Sequence, residues 1–434
     1  MEVVSPNAFY DSDNRSDPPK CHPNTRVAVI NKIIDWANGM SDTNSFMLWL
    51  YGPAGAGKTA ITRKVAELLA DRGLLLASFL FFRSDPKRNT MKPLVVNIAY
   101  RVATVIHGAR EPINAVIEAD PLILSYSIDI QLRKLVFEPL RLLVEQGYFS
   151  NRQFPRLIVI DGLDECLDKD SQAYLVQLLS SSVGQYQLPL KFLLVSRPES
   201  HIKSAVAFAA NGEQSTVSHL ELNNDFQPDE DIRYFLTDKF REIKTYHPFC
   251  SGIPSFWPSK QQMDTLIRKA SGQFIYASLA VRFINSTCNS PMRQLDIVLE
   301  LRPPINHDLP FAELDALYTY ILACSKSLDL VLGILGLYDV LINDSFDDIL
   351  KFVEFVLDLE REDVCIYLSP LNSLLGVKKC GYNSKIVFHH TSFLDFLRSP
   401  ERSKDYCINA EKSHSLIAQR ILQLFTSDHG MCPH

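Results

Sequence analysis

The 434-residue chain has no surplus of positive charge, no long hydrophobic run and no Cys-x-x-Cys pair. With 44 basic against 50 acidic residues, its formal net charge of −6 leaves no electrostatic footprint for nucleic acid or an anionic membrane. The most apolar stretch, Leu330 to Leu337, is bounded by Asp329 and Asp339. It falls far short of the ~20 residues that a membrane span needs and reads as a core helix. The start, Met1-Glu2-Val3-Val4-Ser5-Pro6, has neither a basic nor an apolar segment of the secretory kind, so the expected location is cytoplasmic. Nine cysteines scattered from Cys21 to Cys432 fit neither a disulfide framework nor a zinc site. No internal repeat of 20 to 50 residues stands out.

What is present is a phosphate-binding loop. Residues Gly52, Pro53, Ala54, Gly55, Ala56, Gly57, Lys58 and Thr59 complete the P-loop pattern, preceded by the apolar run Met47 to Tyr51 and followed by a helical pattern from Ala60. Glycines let successive backbone N–H groups turn toward one point, Lys58 brings a compact cation to the β/γ-phosphates, and Thr59 offers a hydroxyl to Mg²⁺. The positive end of the following helix adds to this. A glycine loop that merely turned a strand into a helix would explain neither Lys58 nor Thr59.

Around this loop, five β-rich runs alternate with helical sequence: Met47 to Tyr51, Ala77 to Phe82, Arg156 to Ile160, Lys191 to Val195 and Ser218 to Leu222. Alternation of this kind predicts a parallel α/β sheet covered on both faces. Helices are expected on Ala60 to Leu69, Leu94 to Ile106 and Leu132 to Leu143, with an amphipathic helix through Val29, Ile33 and Trp36 ahead of the sheet. Residues 1–20, rich in Ser, Asp and Pro, read as a disordered tail. After Leu222 the pattern turns helical, with one hairpin expected at Leu374 to Phe388 around Gly381-Tyr382-Asn383-Ser384. The expected organisation is a P-loop domain over 21–225, a helical domain over 226–310 and a winged-helix-like region over 311–434.

A second motif completes the nucleotide site. The run Leu157 to Ile160 ends in Asp161-Gly162-Leu163-Asp164-Glu165. Open α/β sheets bind ligands at the carboxyl ends of their strands, so these acids should emerge beside the P-loop. Asp161 is placed to hold Mg²⁺, while Asp164 or Glu165 could orient an attacking water. Taken alone, Asp-Gly after a strand is also ordinary turn chemistry. The next run ends in Ser196-Arg197-Pro198, where Arg197 either reaches a γ-phosphate or is a solvated turn residue.

Together these motifs resemble a NACHT domain of the STAND class of signalling NTPases. Cys21-His22-Pro23-Asn24-Thr25-Arg26 with Asp35-Trp36, and Gly272-Gln273-Phe274-Ile275-Tyr276-Ala277, resemble fungal members with a nephrocystin-3-like N-terminal domain. The resemblance implies a five-stranded parallel sheet of ASCE type, followed by helical and winged-helix-like domains. It implies that Thr25 and Arg26 lie near the adenine or ribose and that Arg197 is a sensor. Phe388-His389-His390-Thr391-Ser392-Phe393 is similar to the winged-helix motif whose histidine contacts the diphosphate of ADP, which points to His390; without the resemblance the residue reads rather as a hydrogen-bonded core histidine on an amphipathic helix. The helical-domain Gly-x-Pro of many relatives is absent at Ser271-Gly272-Gln273-Phe274. The repeats in which the family usually continues are not visible.

The function so implied is an ATP/ADP switch with Mg²⁺ and slow hydrolysis, in immunity-like or self/non-self signalling. Its partners would be nucleotide and, on activation, protein or a second copy of itself, without nucleic acid or a membrane span. Two other readings stand beside it: a fast-turnover P-loop enzyme, and a nucleotide-binding scaffold without turnover.

Overall fold

The computed structural model describes residues 4–12, 20–42, 44–150, 154–210, 217–303, 311–342, 348–380 and 383–428. The chain divides into two compact units, Met1–Asp231 and Ile232–His434.

The first unit is built on five parallel strands, β1 (Met47–Tyr51), β2 (Leu75–Leu80), β3 (Leu157–Asp161), β4 (Lys191–Ser196) and β5 (Val217–Glu221), in the order β2-β3-β4-β1-β5. Successive side chains of a strand point to opposite faces, and the apolar residues here sort accordingly. Met47, Trp49, Ile158, Ile160, Phe192 and Leu194 enter one core, while Leu48, Leu50, Leu157, Val159, Leu193 and Val195 enter the other. This is why the central runs are apolar at every position. On the second face the helix Lys58–Asp71 lays Ile61, Val65 and Leu69, all fully buried, at four-residue spacing against the sheet.

Three expectations need correction. Strand β2 begins two residues earlier than its apolar run suggested and stops at Leu80, because the Phe82 N–H turns to the Arg88 carbonyl at 3.1 Å and opens a loop. The helix expected over Leu132 to Leu143 is interrupted by a π-turn, Arg133–Phe137, between α-helices Ile128–Leu132 and Glu138–Glu145. Pro139 accounts for it: proline lacks the N–H that would bond four residues back, and the wider turn relieves its ring.

The third concerns the N-terminal tail, because residues 4–12 are packed. Ala8 is fully buried, the Ser5 N–H donates to Asn97 Oδ1 at 3.1 Å, the Tyr10 N–H donates to Ser78 Oγ at 3.0 Å, and the Arg101 guanidinium lies 5.1 Å from the centre of the Phe9 ring. A short apolar pair, Ala8-Phe9, outweighs the polar composition around it. Residues 13–19 lie outside the described residues, as do Gly381-Tyr382 and the terminal 429–434.

The second unit is helical around one large core that includes Phe240, Tyr276, Tyr318, Leu335, Phe393 and Phe396. The hairpin expected there is present as antiparallel β6 (Leu375–Cys380) and β7 (Asn383–Phe388), with Leu375 opposite Phe388. Two arginine–carboxylate pairs, Arg398–Asp339 and Arg402–Asp315, tie the helical turns after the hairpin to earlier helices, with Nε to oxygen distances of 3.1 and 3.0 Å. Among the described residues no single helix is long and apolar enough to cross a membrane.

Candidate functional site

The loop between β1 and the helix Lys58–Asp71 shows why its glycines are needed. Gly55 and Gly57 adopt φ of +78° and +89°, in the left-handed region that side chains disfavour. At Gly52 the reason is space: a Cβ there would stand 3.0 Å from the Leu222 Cβ. A Cβ on Gly57 would meet nothing within 4 Å, so it is the backbone conformation and not crowding that calls for glycine there. Lys58 Nζ folds back over the loop and donates to the carbonyls of Gly52 and Pro53 at 2.7 and 2.9 Å. Desolvation lowers its pKa to about 8; Asp164 is the strongest opposing charge, and Arg197, Asp161 and Glu165 are also felt. The loop lysine and the four charged residues picked out downstream therefore share one electrostatic neighbourhood.

Strand β4 lies between β1 and β3, which sets Arg197 between the P-loop and the acids. Asp161 ends β3 and is almost fully buried. Gly162, at φ +71°, then turns the chain into a 3₁₀ turn over Leu163–Glu165, and a Cβ there would press to 3.3 Å from the Phe81 carbonyl. The turn separates the two remaining acids. Asp164, 7% exposed, accepts the Arg197 N–H at 2.9 Å on Oδ1 and lies 3.2 Å from the Arg197 Nε on Oδ2. Glu165 is half-buried and accepts the Arg83 N–H at 3.1 Å, while the Arg83 guanidinium donates to the Asp164 carbonyl at 3.0 Å.

Arg26, in the left-handed region at φ +58°, is buried and donates from its guanidinium to the Ala56 carbonyl in the P-loop at 3.0 Å. Its N–H donates to Asp231 Oδ2, also at 3.0 Å, in the first turn of the helix Pro228–Tyr246. Thr25 is buried with its hydroxyl given to the His22 carbonyl at 2.7 Å. The lead-in segment thus braces the loop. His390 belongs to the second unit, where it caps the helix Thr391–Leu397: its Nδ1 accepts the Ser392 N–H at 3.0 Å and lies 2.8 Å from the Ser392 hydroxyl. It stands ahead of the helix rather than on an apolar helical face.

Sequence reasoning passed over Arg83, Asp231 and Trp49. Trp49 Nε1 donates to the buried Ser196 hydroxyl at 2.9 Å and steadies the end of β4. Only Arg83 carried a signal: a basic residue directly after the strand run that neighbours β3.

A strand–glycine loop–helix unit with Lys58 and Thr59 at the helix start, and an acid ending β3 across an intervening strand, defines a P-loop NTPase domain of the ASCE arrangement. Residues 30–197 match the family model described as nephrocystin 3, N-terminal. Within the first unit, residues 30–197 are thus similar to the nephrocystin 3 N-terminal family, on a P-loop NTPase fold.

Several solved structures are similar at low identity. One is a signal transduction ATPase with numerous domains carrying a tetratricopeptide repeat sensor, from Pyrococcus horikoshii (13% identity, TM-score 0.45, 94% of this chain and 46% of that one). Another is Cdc6p from Pyrobaculum aerophilum (14%, TM-score 0.38, 97% and 98%), and a third is the Drosophila ORC bound to DNA (14%, TM-score 0.36, 84% and 93%). The chain spans about half the length of the first of these. No curated protein matches the chain.

Proposed function

We propose that the chain is a nucleotide-dependent signalling switch that binds ADP or ATP at the P-loop and hydrolyses ATP slowly. The observation that carries this is the strand order, which sets the glycine loop with Lys58 at the end of β1, the Arg197–Asp164 pair at the end of β4 and Asp161 at the end of β3 along one edge of the sheet. The backbone N–H groups of Ala54 to Lys58 and the start of the helix cradle the phosphates, and Lys58 exchanges its bonds to Gly52 and Pro53 for phosphate oxygens. Thr59, with Ala60 behind it, stands in the first helical turn, and its hydroxyl would face the metal.

The donor set fits Mg²⁺. A buried carboxylate at the end of β3 and a threonine hydroxyl in the first helical turn are hard oxygen donors, and Mg²⁺ is ordinarily held by one or two protein ligands, phosphates and water. Thr59 and Asp161 would supply those ligands, and the ion would neutralise charge on the β- and γ-oxygens. Glu165 orients the attacking water, and Arg197 meets the terminal phosphate.

In this reading Arg26 and Thr25 act by shaping the wall of the nucleotide site, and His390 contributes a contact to the diphosphate that favours the ADP state. Replacing His390 with Leu should weaken ADP binding by roughly 1–3 kcal/mol, with His389→Leu as the neighbour control. Equal, purely destabilising effects of both would return His390 to a capping role. Activation is proposed to engage protein partners or further copies of the chain in the cytoplasm. The reading as a whole is tested by identifying the nucleotide that co-purifies with the chain and by titrating ATP, ADP and GTP with and without Mg²⁺. Absence of nucleotide binding would overturn it.

A further inference from the structure

The two acids that follow Asp161-Gly162 are not equivalent, and their surroundings assign them different tasks. Asp164 is buried and commits one oxygen to the main-chain N–H of Arg197 and the other to its side-chain Nε. A carboxylate that grips a residue at both points fixes its backbone and the direction in which its side chain leaves. A carboxylate meant for water has to present an oxygen to water, and of the two acids Glu165 is the less buried.

The neighbours act in the same sense. The parallel register pairs Asp161 with Val195, so the turn carrying Asp164 comes to rest beside Ser196-Arg197. The Ser196 hydroxyl donates to the Arg197 carbonyl at 2.9 Å and is itself held by Trp49. Arg197 is therefore fixed at its N–H, its carbonyl and its Nε, while about a quarter of its side chain (26%) remains exposed. A charged group held this rigidly by a buried partner is preorganised for a ligand.

We propose that Asp164 is a positioning residue that holds Arg197 in place to read the terminal phosphate, and that it does not orient the attacking water. This rests on the reading of the pocket as an ATP/ADP site. An arginine that meets the third phosphate raises affinity for ATP and leaves ADP unaffected, so loss of its holder should show in the ratio of the two.

The test is calorimetric titration of the full chain with Mg-ATPγS and with Mg-ADP, comparing wild type, Asp164→Asn, Arg197→Gln and the double variant, with thermal melting of each. The expected result is a fall in the ATPγS-to-ADP affinity ratio of roughly ten- to hundredfold in each single variant. The double variant should fall no further than Arg197→Gln alone, because the two residues act as one unit. If Asp164→Asn keeps the ratio while hydrolysis is lost, Asp164 acts on water and the proposal is overturned. Equal weakening of both nucleotides together with a lower melting temperature overturns it in favour of a folding role. If Arg197→Gln itself leaves the ratio unchanged while Lys58→Ala still abolishes binding, the proposal falls together with the sensor role of Arg197, but the P-loop reading stands. Should Asp164→Asn fail to fold, Asp164→Glu keeps the charge and shifts the grip by one methylene; an unchanged ratio there overturns the proposal equally.

Discussion

The two sides of the nucleotide pocket are made in different ways. On the P-loop side the backbone makes the site: two glycines at positive φ and a third too crowded for a Cβ bend the chain, and Lys58 rests on the loop's own carbonyls. On the β3–β4 side the site is made of side chains gripping one another, with Asp164 on Arg197, Arg83 on the Asp164-Glu165 turn and Trp49 on Ser196. A backbone-made site is spelled out by residue type in one short segment. A site made of grips depends on which strands lie side by side, and residues from four strands or their ends meet there.

The largest expected effect removes the single cation from the backbone-made side. Lys58→Ala should weaken nucleotide binding roughly ten- to thousandfold, since a charge pair at 4 Å contributes about 1–4 kcal/mol between bulk-water and near-surface dielectrics. Unchanged affinity in calorimetry would break the distinction at its root. On the other side, Glu165→Gln should reduce ATP hydrolysis about a hundredfold or more and leave Mg-ATP affinity nearly intact, because a water-orienting acid acts chiefly in the transition state. Loss of binding with retained hydrolysis would reverse the roles of the two sides.

A smaller effect comes from pH. Burial lowers the Lys58 pKa to about 8, and bound phosphates would raise it again. Nucleotide affinity should therefore be flat below pH 8 and fall by up to about tenfold per unit above it, until the pKa of the complex is passed. Folding stability responds with the opposite sign. Lys58 and the buried Lys191, both lowered to about 8 from 10.5, bind fewer protons folded than unfolded. The ligand-free chain should gain stability from pH 8 to 9, before the raised pKa of Cys21 acts against it. Affinity and melting temperature that moved in the same direction would contradict the Lys58 assignment. The smallest effect is that of Trp49→Phe, which removes the bond to Ser196 while keeping the ring: about 1 kcal/mol, or a melting shift of about 2–4 °C.

How far the sequence could be read follows the same division. The P-loop, the acids after β3 and the arginine after β4 each lie in one contiguous motif, and the alternation of apolar runs foretold the five-stranded sheet. The pairing of Asp164 with Arg197 was not legible, because it depends on β3 and β4 being neighbours. Nor was the inward turn of Arg26 onto the Ala56 carbonyl, since a polar residue ahead of a helix gives no sign of which way it faces. The π-turn before Pro139 and the early start of β2 were missed because hydrophobic periodicity locates the middles of elements better than their ends.

The packed N-terminal segment bears on how the protein should be handled at the bench. Its composition invites removal of everything before Cys21 when the gene is shortened for expression, yet Ala8 and Phe9 act as a stopper in the wall of the first unit. A version starting at residue 20 would uncork that wall, take the Ser5 and Tyr10 N–H groups from Asn97 and Ser78, and present fresh greasy surface to neighbouring molecules. Poor solubility of such a shortened protein would then reflect the missing stopper rather than any defect in the nucleotide pocket.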